Sequence, residues 1–416
     1  MSVGAAGPAP DPRARRLLLV SLSARMLAAS AARAGFETLA LDLFGDRDLA
    51  ALARDHEVVR PAIDCGAGKG SAEGSAGGFD PQDLIACARR LLAKHGSAEL
   101  VCGAGLEDQP ALLDSLSALE GLASRGNGAV AIEAVKDPRR LAALLQALGI
   151  AHPEIRRDVP DDPAGWLAKR AGGCGGVHVQ EGARAAQAEC GAGADRYFQR
   201  FQPGRSLSAL LLADGRRALV VGISAQYVRA REPHDYAFTG AAGPVPLSDR
   251  LAERIRDCAT RIVAATALRG CIGIDFIVDD DEMAWVIEIN PRPPATIELY
   301  DADWPRGLVD AHLRALAGEL PAAAASPTTA PTTAPTAARA LRIAWAPHPW
   351  VAGEVLALGG DCTDLPRPGA RIGENMPLCT VHAQAADADA AWRAVSARCA
   401  AIEASLQPSG GRDPDR

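Results

Sequence analysis

The stretch CIGIDFIVDDDEMAWVIEINPRPP, residues 271–294, decides the fold. Cys271 to Val278 and Met283 to Ile289 each read as a strand. Apolar and β-branched residues fill both runs, and Asp279 to Glu282 supplies the turn between them. Side chains alternate along a strand, so Glu288 and Asn290 share one face. Asp275 lies on the partner strand, where a short turn lets the two acids converge. Two carboxylates and an amide oxygen are hard donors, a set that suits Mg2+ rather than zinc. Arg292 follows two residues later, on an exit held rigid by Pro291, Pro293 and Pro294. The bland alternative is a row of acids on a solvated edge. Ile and Val on either side of each acid argue against it.

Upstream lies a second chemical feature. Of 44 basic residues 40 are Arg, and only Lys69, Lys94, Lys136 and Lys169 are Lys. This bias makes each lysine informative, because a compact ammonium is not interchangeable with a guanidinium. Trp166 to Lys169 reads as a strand, and Gly172-Gly173-Cys174-Gly175-Gly176 follows it. Four glycines in five positions let backbone N–H groups approach an anion, and the lysine adds a point charge. The loop is neither G-x-x-x-x-G-K-[ST] nor G-x-G-x-x-G. It is expected to lead into a further strand, Val177-His178-Val179, with a plain hairpin loop as the alternative. His178 is singled out by its place after the loop; His152, His234 and His312 have no metal-like spacing.

The remaining chain builds around these motifs. Tyr197 to Gln202 is a strand ended by Pro203-Gly204. Ser206 to Leu212 and Arg217 to Tyr227 pair through Asp214-Gly215. Arg229, Arg231 and His234-Asp235-Tyr236 are placed in a loop, either to bind an anionic substrate or simply as a solvated charged loop. Asp249 to Leu268 is one helix. Near the N-terminus, Arg16 to Val20, an Ala-rich helix, Gly35 and Phe36 to Leu43 make a βαβ start, so residues 15–125 read as a parallel α/β unit. Cys65 to Gly78 is Gly/Ser/Ala-rich and reads as a loop. Residues 321–339, PAAAASPTTAPTTAPTAAR, read as a Pro/Thr/Ala linker. A short module follows, with strands Leu341–Trp345, Gly353–Leu358 and Leu378–His382 and a helix from Ala388 to Ile402.

Composition closes off other classes. The net charge is −7 with a pI near 5.7, which disfavours a polyanion-binding protein. No run of 18 apolar residues occurs, so no membrane span is expected. Met1 to Pro12 lacks a charged segment followed by an apolar one, so no signal peptide is expected. Ten cysteines stand singly, the nearest pair being Cys258 and Cys271, a pattern of reduced thiols in a cytoplasmic protein.

Taken in order, Lys136, Lys169 with GGCGG, Gln199-Arg200-Phe201-Gln202-Pro203-Gly204, GIDF around Asp275 and VIEINPRP from Val286 to Pro293 resemble the ATP-grasp superfamily, over about residues 15–310. The resemblance implies a mixed α/β and α+β architecture: a Rossmann-like N-terminal domain, a two-part ATP-grasp domain and a small C-terminal β-module. The implied divisions are a disordered leader (1–14), an N-terminal α/β domain (15–128), the ATP-grasp domain (129–320), the linker (321–340), the module (341–405) and a disordered tail (406–416). In family terms Lys136 and Lys169 hold nucleotide phosphates, and Gly172, Gly173, Gly175 and Gly176 fold over them. Gln199 and the backbone of Phe201 and Gln202 read adenine. Asp275, Glu288 and Asn290 bind two Mg2+, with Mn2+ as a substitute, and Arg292 stabilises the reacting phosphoryl group. The sequence departs from the family pattern in three places. Ser206 stands where an acid usually meets the ribose, Gln199 stands where Glu is commoner, and Asp275 replaces a longer Glu.

The activity so implied is an ATP-dependent carboxylate–amine, or thiol, ligase working through an acylphosphate. The layout is most similar to a predicted carboligase group that includes ligases of methanofuran-type cofactor assembly, which points to C1-carrier biosynthesis. Its partners would be small carboxylates and amines, with no nucleic acid or membrane, and a homo-oligomer is allowed. The alternatives are biotin-carboxylase-like activation of bicarbonate and a nucleotide-binding regulator without turnover. The absence of Lys beyond residue 169 means that the chain carries no biotin.

Overall fold

The computed structural model describes residues 15–62, 78–187, 195–231, 234–321, 337–353 and 358–406. The leader 1–14, most of the 65–78 loop, the linker core 322–336, most of the strand expected at Gly353–Leu358, and residues 407–416 lie outside the described residues.

Five parallel strands, β1 (Arg16–Val20), β2 (Glu37–Asp42), β3 (Asp55–Val58), β4 (Ala98–Cys102) and β5 (Leu122–Ser124), form a sheet in the order β3-β2-β1-β4-β5. Burial on both faces explains why β1 is an unbroken apolar run rather than an alternating one. Leu17 and Leu19 pack with helix α1 (Arg25–Arg33), while Leu18 and Val20 pack with α3 (Pro81–His95) and α4 (Pro110–Ser117); α2 (Arg47–Leu52) adds Leu49 to the α1 side. Asp80 caps α3 by accepting from Asp83 N at 2.8 Å, with Pro81 at the first helical position. The strand order reverses between β1 and β4, so their carboxyl ends open a crevice.

Helices α5 (Ala129–Lys136) and α6 (Pro138–Ala147) follow directly. A small antiparallel sheet contains β6 (Ile155–Arg156), β7 (Trp166–Arg170), β8 (Gln180–Glu181) and β9 (Arg196–Arg200), with α7 (Gly182–Gln187) after β8. Val177 to Val179 form turns rather than the expected strand, because glycines at φ +67° and +72° bend the chain just before them.

A large sheet takes the order β14-β13-β10-β11-β12-β15-β19-β17. Its strands are β10 (Arg205–Asp214), β11 (Ala218–Arg231), β12 (His234–Gly243), β13 (Arg269–Val278), β14 (Ala284–Asn290), β15 (Ala338–Trp345), β17 (Cys362–Thr363) and β19 (Pro377–Ala385). A two-stranded ribbon, β16 (Trp350–Val351) with β18 (Arg371–Ile372), stands beside them. Arg229, Arg231 and His234 to Tyr236 are therefore on paired strands, not in the expected loop; their charge hid the extension of the hairpin. β15 pairs with β12, so the strands after the linker continue the sheet instead of forming one of their own. Helix α8 (Asp249–Thr266) buries Leu251, Ile255, Ile262 and Val263 against β10, β13 and β14. Helices α9 (Ile297–Tyr300) and α10 (Gly307–Leu316) precede the linker, and α11 (Ala388–Ser405) covers β15 and β19.

Polar bridges lock these layers together. Asn127 donates to Arg269 O and Pro291 O, at 2.9 and 2.8 Å, and accepts from Arg269 N at 3.0 Å. Arg25, 4% exposed, donates to Asp364 and pairs with Glu298, while Asp48 accepts from the N–H groups of Asp364 and Leu365. On α10, His312 accepts from Cys271 N at 2.8 Å through Nδ1, so its Nε2–H donates to Arg125 O at 3.1 Å. The eight described cysteines are free thiols, and no described helix is long and apolar enough to cross a membrane.

Burial pushes the His312 imidazole down from 6.5 to about 4. The folded state therefore binds fewer protons than the unfolded chain between those values. This contribution to stability is full above about pH 6.5 and is lost as pH falls through 4. His312→Leu should lower stability at pH 7 by about 1–3 kcal/mol, since it strands the buried Cys271 N–H, and should flatten the pH 7-to-5 dependence. Urea midpoints at the two pH values test both effects; a leucine variant matching wild type would show that the bridge contributes nothing.

Candidate functional site

Lys136 ends α5, and the next residue begins a new helix. Asp137 accepts from Arg139 N and Arg140 N, both at 2.9 Å, with Pro138 at the first helical position. This sharp junction aims Lys136 at β14. There its Nζ donates to Glu288 Oε1, and to Asn290 Oδ1 at 2.9 Å. The same Asn290 donates through Nδ2 to Asp275 Oδ2 at 3.0 Å, and Gln226 Nε2 donates to Asp275 Oδ1 at 3.1 Å. The register that brings the acids together pairs Asp275 with Glu288 and shifts between Asp275 and Phe276. Such bulges re-aim side chains and recur beside active sites.

The charges of this group are interdependent. Burial, and then the Glu288 charge, push the Asp275 carboxyl up to about 6. Burial also works against ionised Glu288, yet the adjacent Lys136 ammonium holds that carboxyl below its ordinary range. A third of the Glu288 side chain is exposed while Lys136 is nearly enclosed, so the pair opens on the acid side.

Lys169 on β7 is buried, and its Nζ donates to Gln199 Oε1 on β9 at 2.6 Å. Burial lowers its affinity for the proton, partly offset by Glu288 and Asp275. Gln199, 3% exposed, also donates to Ile287 O of β14 at 3.4 Å, which fastens the small sheet to β14 of the large one. The glycine loop that follows Lys169 lies against β12. Gly175 O accepts from Phe238 N at 2.8 Å, and a Cβ on Gly176 would collide with Tyr236 O. Gly172 lies on Asp108, so the loop also reaches the first sheet. Burial holds His178, just past the loop, down at about 4 and therefore neutral.

Arg292 donates from Nε to Glu107 Oε1 at 2.6 Å and from Nη2 to Asn290 Oδ1 at 3.5 Å. Glu107 is 4% exposed and accepts from Gly105 N and Leu106 N, at 2.7 and 3.1 Å. Burial would raise its carboxyl, but Arg292, Lys136 and the backbone donors hold it at about 2. Glu107 therefore stays ionised and anchors Arg292.

Seven expected residues thus converge: Lys136, Lys169, Gln199, Asp275, Glu288, Asn290 and Arg292. Ser206 joins through Gln226, whose Oε1 accepts from its hydroxyl at 3.4 Å. Phe201 and Gln202 stand apart. Phe201 is 46% exposed with its N–H donated to Gly165 O, and Gln202 bonds Pro203 O. Two participants escaped the sequence reading, Glu107 and Gln226. Glu107 carried a usable signal, since it sits just past the carboxyl end of β4 at the reversal of strand order. Gln226 is one of several polar residues in β11, with nothing in its neighbours to mark it.

The donor set can be tested against a hard cation. Among the described residues no three His, Cys, Asp or Glu side chains are grouped to hold a metal. Two carboxylates and an amide are what remains, a set that leaves coordination positions for phosphate oxygens and water, as Mg2+ prefers. The mutual repulsion that raises Asp275 would be relieved by a dication, so the residues fit one.

Comparison with known proteins follows the same lines. A stretch of 75 residues is 35% identical to the formate-dependent phosphoribosylglycinamide formyltransferase of Burkholderia pseudomallei, spanning 18% of this chain and 18% of that relative's length. Three solved structures share the fold. The biotin carboxylase domain of Hydrogenobacter thermophilus 2-oxoglutarate carboxylase, in complex with MgADP, ADP and bicarbonate, is 14% identical over 92% of this chain and 88% of that one, with a TM-score of 0.66. L-amino acid ligase from Bacillus licheniformis is 12% identical over 95% and 98%, with a TM-score of 0.66. N5-carboxyaminoimidazole ribonucleotide synthetase from Thermotoga maritima is 15% identical over 92% and 98%, with a TM-score of 0.60. The match to the ATP-grasp domain family covers residues 135–296, which begin one residue before Lys136 and run past Arg292. Residues 135–296 of the chain are thus similar to the ATP-grasp domain family, and that segment holds the converging lysines, acids and arginine.

Proposed function

We propose that the protein is an ATP-dependent carboxylate–amine ligase that releases ADP and phosphate through an acylphosphate. One observation carries this reading: a carboxylate pair, buried Asp275 and partly exposed Glu288, meets Lys136, Asn290 and Arg292 at one place, with Lys169, just before the glycine loop, held by Gln199. Phosphoryl transfer needs positioning and charge neutralisation more than proton chemistry, and this group supplies both.

In this reading Lys136 and Lys169 bind nucleotide phosphates, and the N–H groups of Gly172, Gly173, Gly175 and Gly176 close over them, excluding water that would hydrolyse the acylphosphate. Asp275, Glu288 and Asn290 hold Mg2+, two ions in the fuller form of the proposal. Bound there, the metal neutralises charge on the transferring phosphoryl group. The substrate carboxylate attacks the γ-phosphorus in line, ADP departs, and the amine then attacks the acyl carbon and expels phosphate. Arg292 offers forked donors to the phosphoryl oxygens, with Glu107 fixing its direction. The acceptor approaches through the crevice between β1 and β4, where Glu107 stands. Gln199, Phe201, Gln202 and Ser206 belong to the nucleotide side of the proposal. A role for Gln199 in reading adenine requires its amide to leave Lys169 or Ile287.

The finer assignment, to assembly of a C1-carrier cofactor, is supported by resemblance of layout alone. The second reading, bicarbonate activation, is favoured by the likeness to a biotin carboxylase domain. ADP release with a panel of carboxylates, each with and without amines, separates the readings. Stimulation by an acid and an amine together supports ligation. Stimulation by bicarbonate alone supports the second reading, and no turnover with tight ATP binding would leave a regulator.

Three substitutions follow from the assigned roles. Glu288→Gln should leave melting behaviour near wild type but cut ATP turnover by about two orders of magnitude, as loss of a charge-clamping group does. Normal turnover in that variant would remove Glu288 from the metal set. Lys169→Ala should act mainly on KM for ATP; an unchanged KM would leave Lys169 a structural partner of Gln199. Arg292→Lys should keep nucleotide affinity within a few fold and lose most ligation, because one ammonium cannot hold Glu107 and grip a phosphoryl oxygen at once. Measuring kcat against nucleotide affinity for this variant decides; equal small effects on both would reduce Arg292 to an ion pair.

A further inference from the structure

His178 stands apart from the roles given above, yet it lies inside the charged group. Its ring fills the space beneath Gly173: a Cβ added there would sit 2.5 Å from the imidazole. Only glycine at that position lets the loop rest directly on the ring. The ring's Nδ1 is buried and has no hydrogen-bond partner. Buried polar atoms in folded proteins are rarely left unmatched, and an orphan in a functional region points to a ligand.

The charges around His178 say what kind of ligand. They come from Lys169, Lys136 and Arg170 on the positive side and from Glu288 on the negative. A group placed among two ammoniums and a guanidinium is an anion. A neutral imidazole with hydrogen on Nδ1 donates to such an anion, and the loop already rests on the same ring. We propose that His178 donates Nδ1–H to an oxygen of the terminal phosphoryl group of the nucleoside triphosphate, so that the loop beneath which it packs is positioned by the phosphate it must cover.

This inference rests on the nucleotide-binding part of the function proposed above. It adds a specific consequence: the loop senses a triphosphate and a diphosphate differently. His178→Leu removes the donor and keeps bulk under Gly173. His178→Asn restores an N–H near the position of Nδ1. Gly173→Ala keeps the imidazole but pushes it from its seat, which supplies an independent test should the leucine variant fail to fold.

The experiment is calorimetric binding of MgADP and of the magnesium complex of a β,γ-imido ATP analogue to the full chain, with melting curves as a control. His178→Leu should weaken the triphosphate analogue at least tenfold and MgADP less than threefold. Gly173→Ala should show the same selective loss, and His178→Asn should recover most of it. Equal losses for both nucleotides would confine His178 to packing the loop and overturn the proposal. So would unchanged triphosphate affinity in His178→Leu, or an asparagine variant as weak as leucine. Wild-type protein that binds neither nucleotide would overturn both this inference and the ligase reading. Wild-type binding with indifferent variants would overturn this one alone.

Discussion

The pairing of β13 with β14 sets Asp275 opposite Glu288, and much of the site follows from that register. Residues directly opposed across an antiparallel pair have Cβ atoms about 5 Å apart, so two carboxylates there repel unless a cation intervenes. Lys136 is that cation in the protein alone. Its position demands the abrupt α5–α6 junction, which the sequence Lys136-Asp137-Pro138 provides through an N-cap and a first-turn proline. Asn290 relays the lysine's charge to Asp275 by using both ends of its amide. In the proposed ligase a dication entering this group would take over work that Lys136 does, leaving the ammonium for phosphate.

A second constraint is that the site lies where separately built parts meet. Arg292 comes from the exit of β14, while its anchor Glu107 comes from the first sheet. Burial makes that tie consequential: a charge left without its partner in a low-dielectric setting is costly, commonly about 3–5 kcal/mol. His312, Asn127 and Arg25 repeat the device at other seams with backbone groups and carboxylates. The glycine loop touches the first sheet through Gly172 and β12 through Gly175 and Gly176. Movement of the segment after β4 would thus be felt at both Arg292 and the loop, and in the proposed ligase this would link acceptor entry to nucleotide cover.

Local signals in the chain gave strands, turns and helices where one physical preference dominated. The unbroken RLLLV run read as the first strand of a βαβ start, and the structure places it between two helical layers. Asp214-Gly215 required a hairpin, and β10 pairs with β11 around it. The reading failed where preferences conflicted. Val177 to Val179 is β-branched in sequence but follows glycines in left-handed conformation, so turns prevail over strand propensity. Arg229 to Tyr236 is charged, which suggested a loop, yet pairing with its own return strand outweighs composition at a sheet position of this kind.

The sequence by itself singled out most of the residues that the structure brings together around Asp275 and Glu288. Period-two alternation put Glu288 and Asn290 on one face, lysine scarcity marked Lys136 and Lys169, and four glycines in five positions marked the loop between them and the acids. It could not supply partners drawn from distant segments. That Arg292 leans on Glu107, that Gln226 braces Asp275, that Lys169 is held by Gln199, and that β15 and β19 extend the sheet of β12 are consequences of packing. Hydrogen bonds and ion pairs act over a few ångströms, and residues 185 positions apart in the chain, as Glu107 and Arg292 are, come within that range only after the layers have assembled.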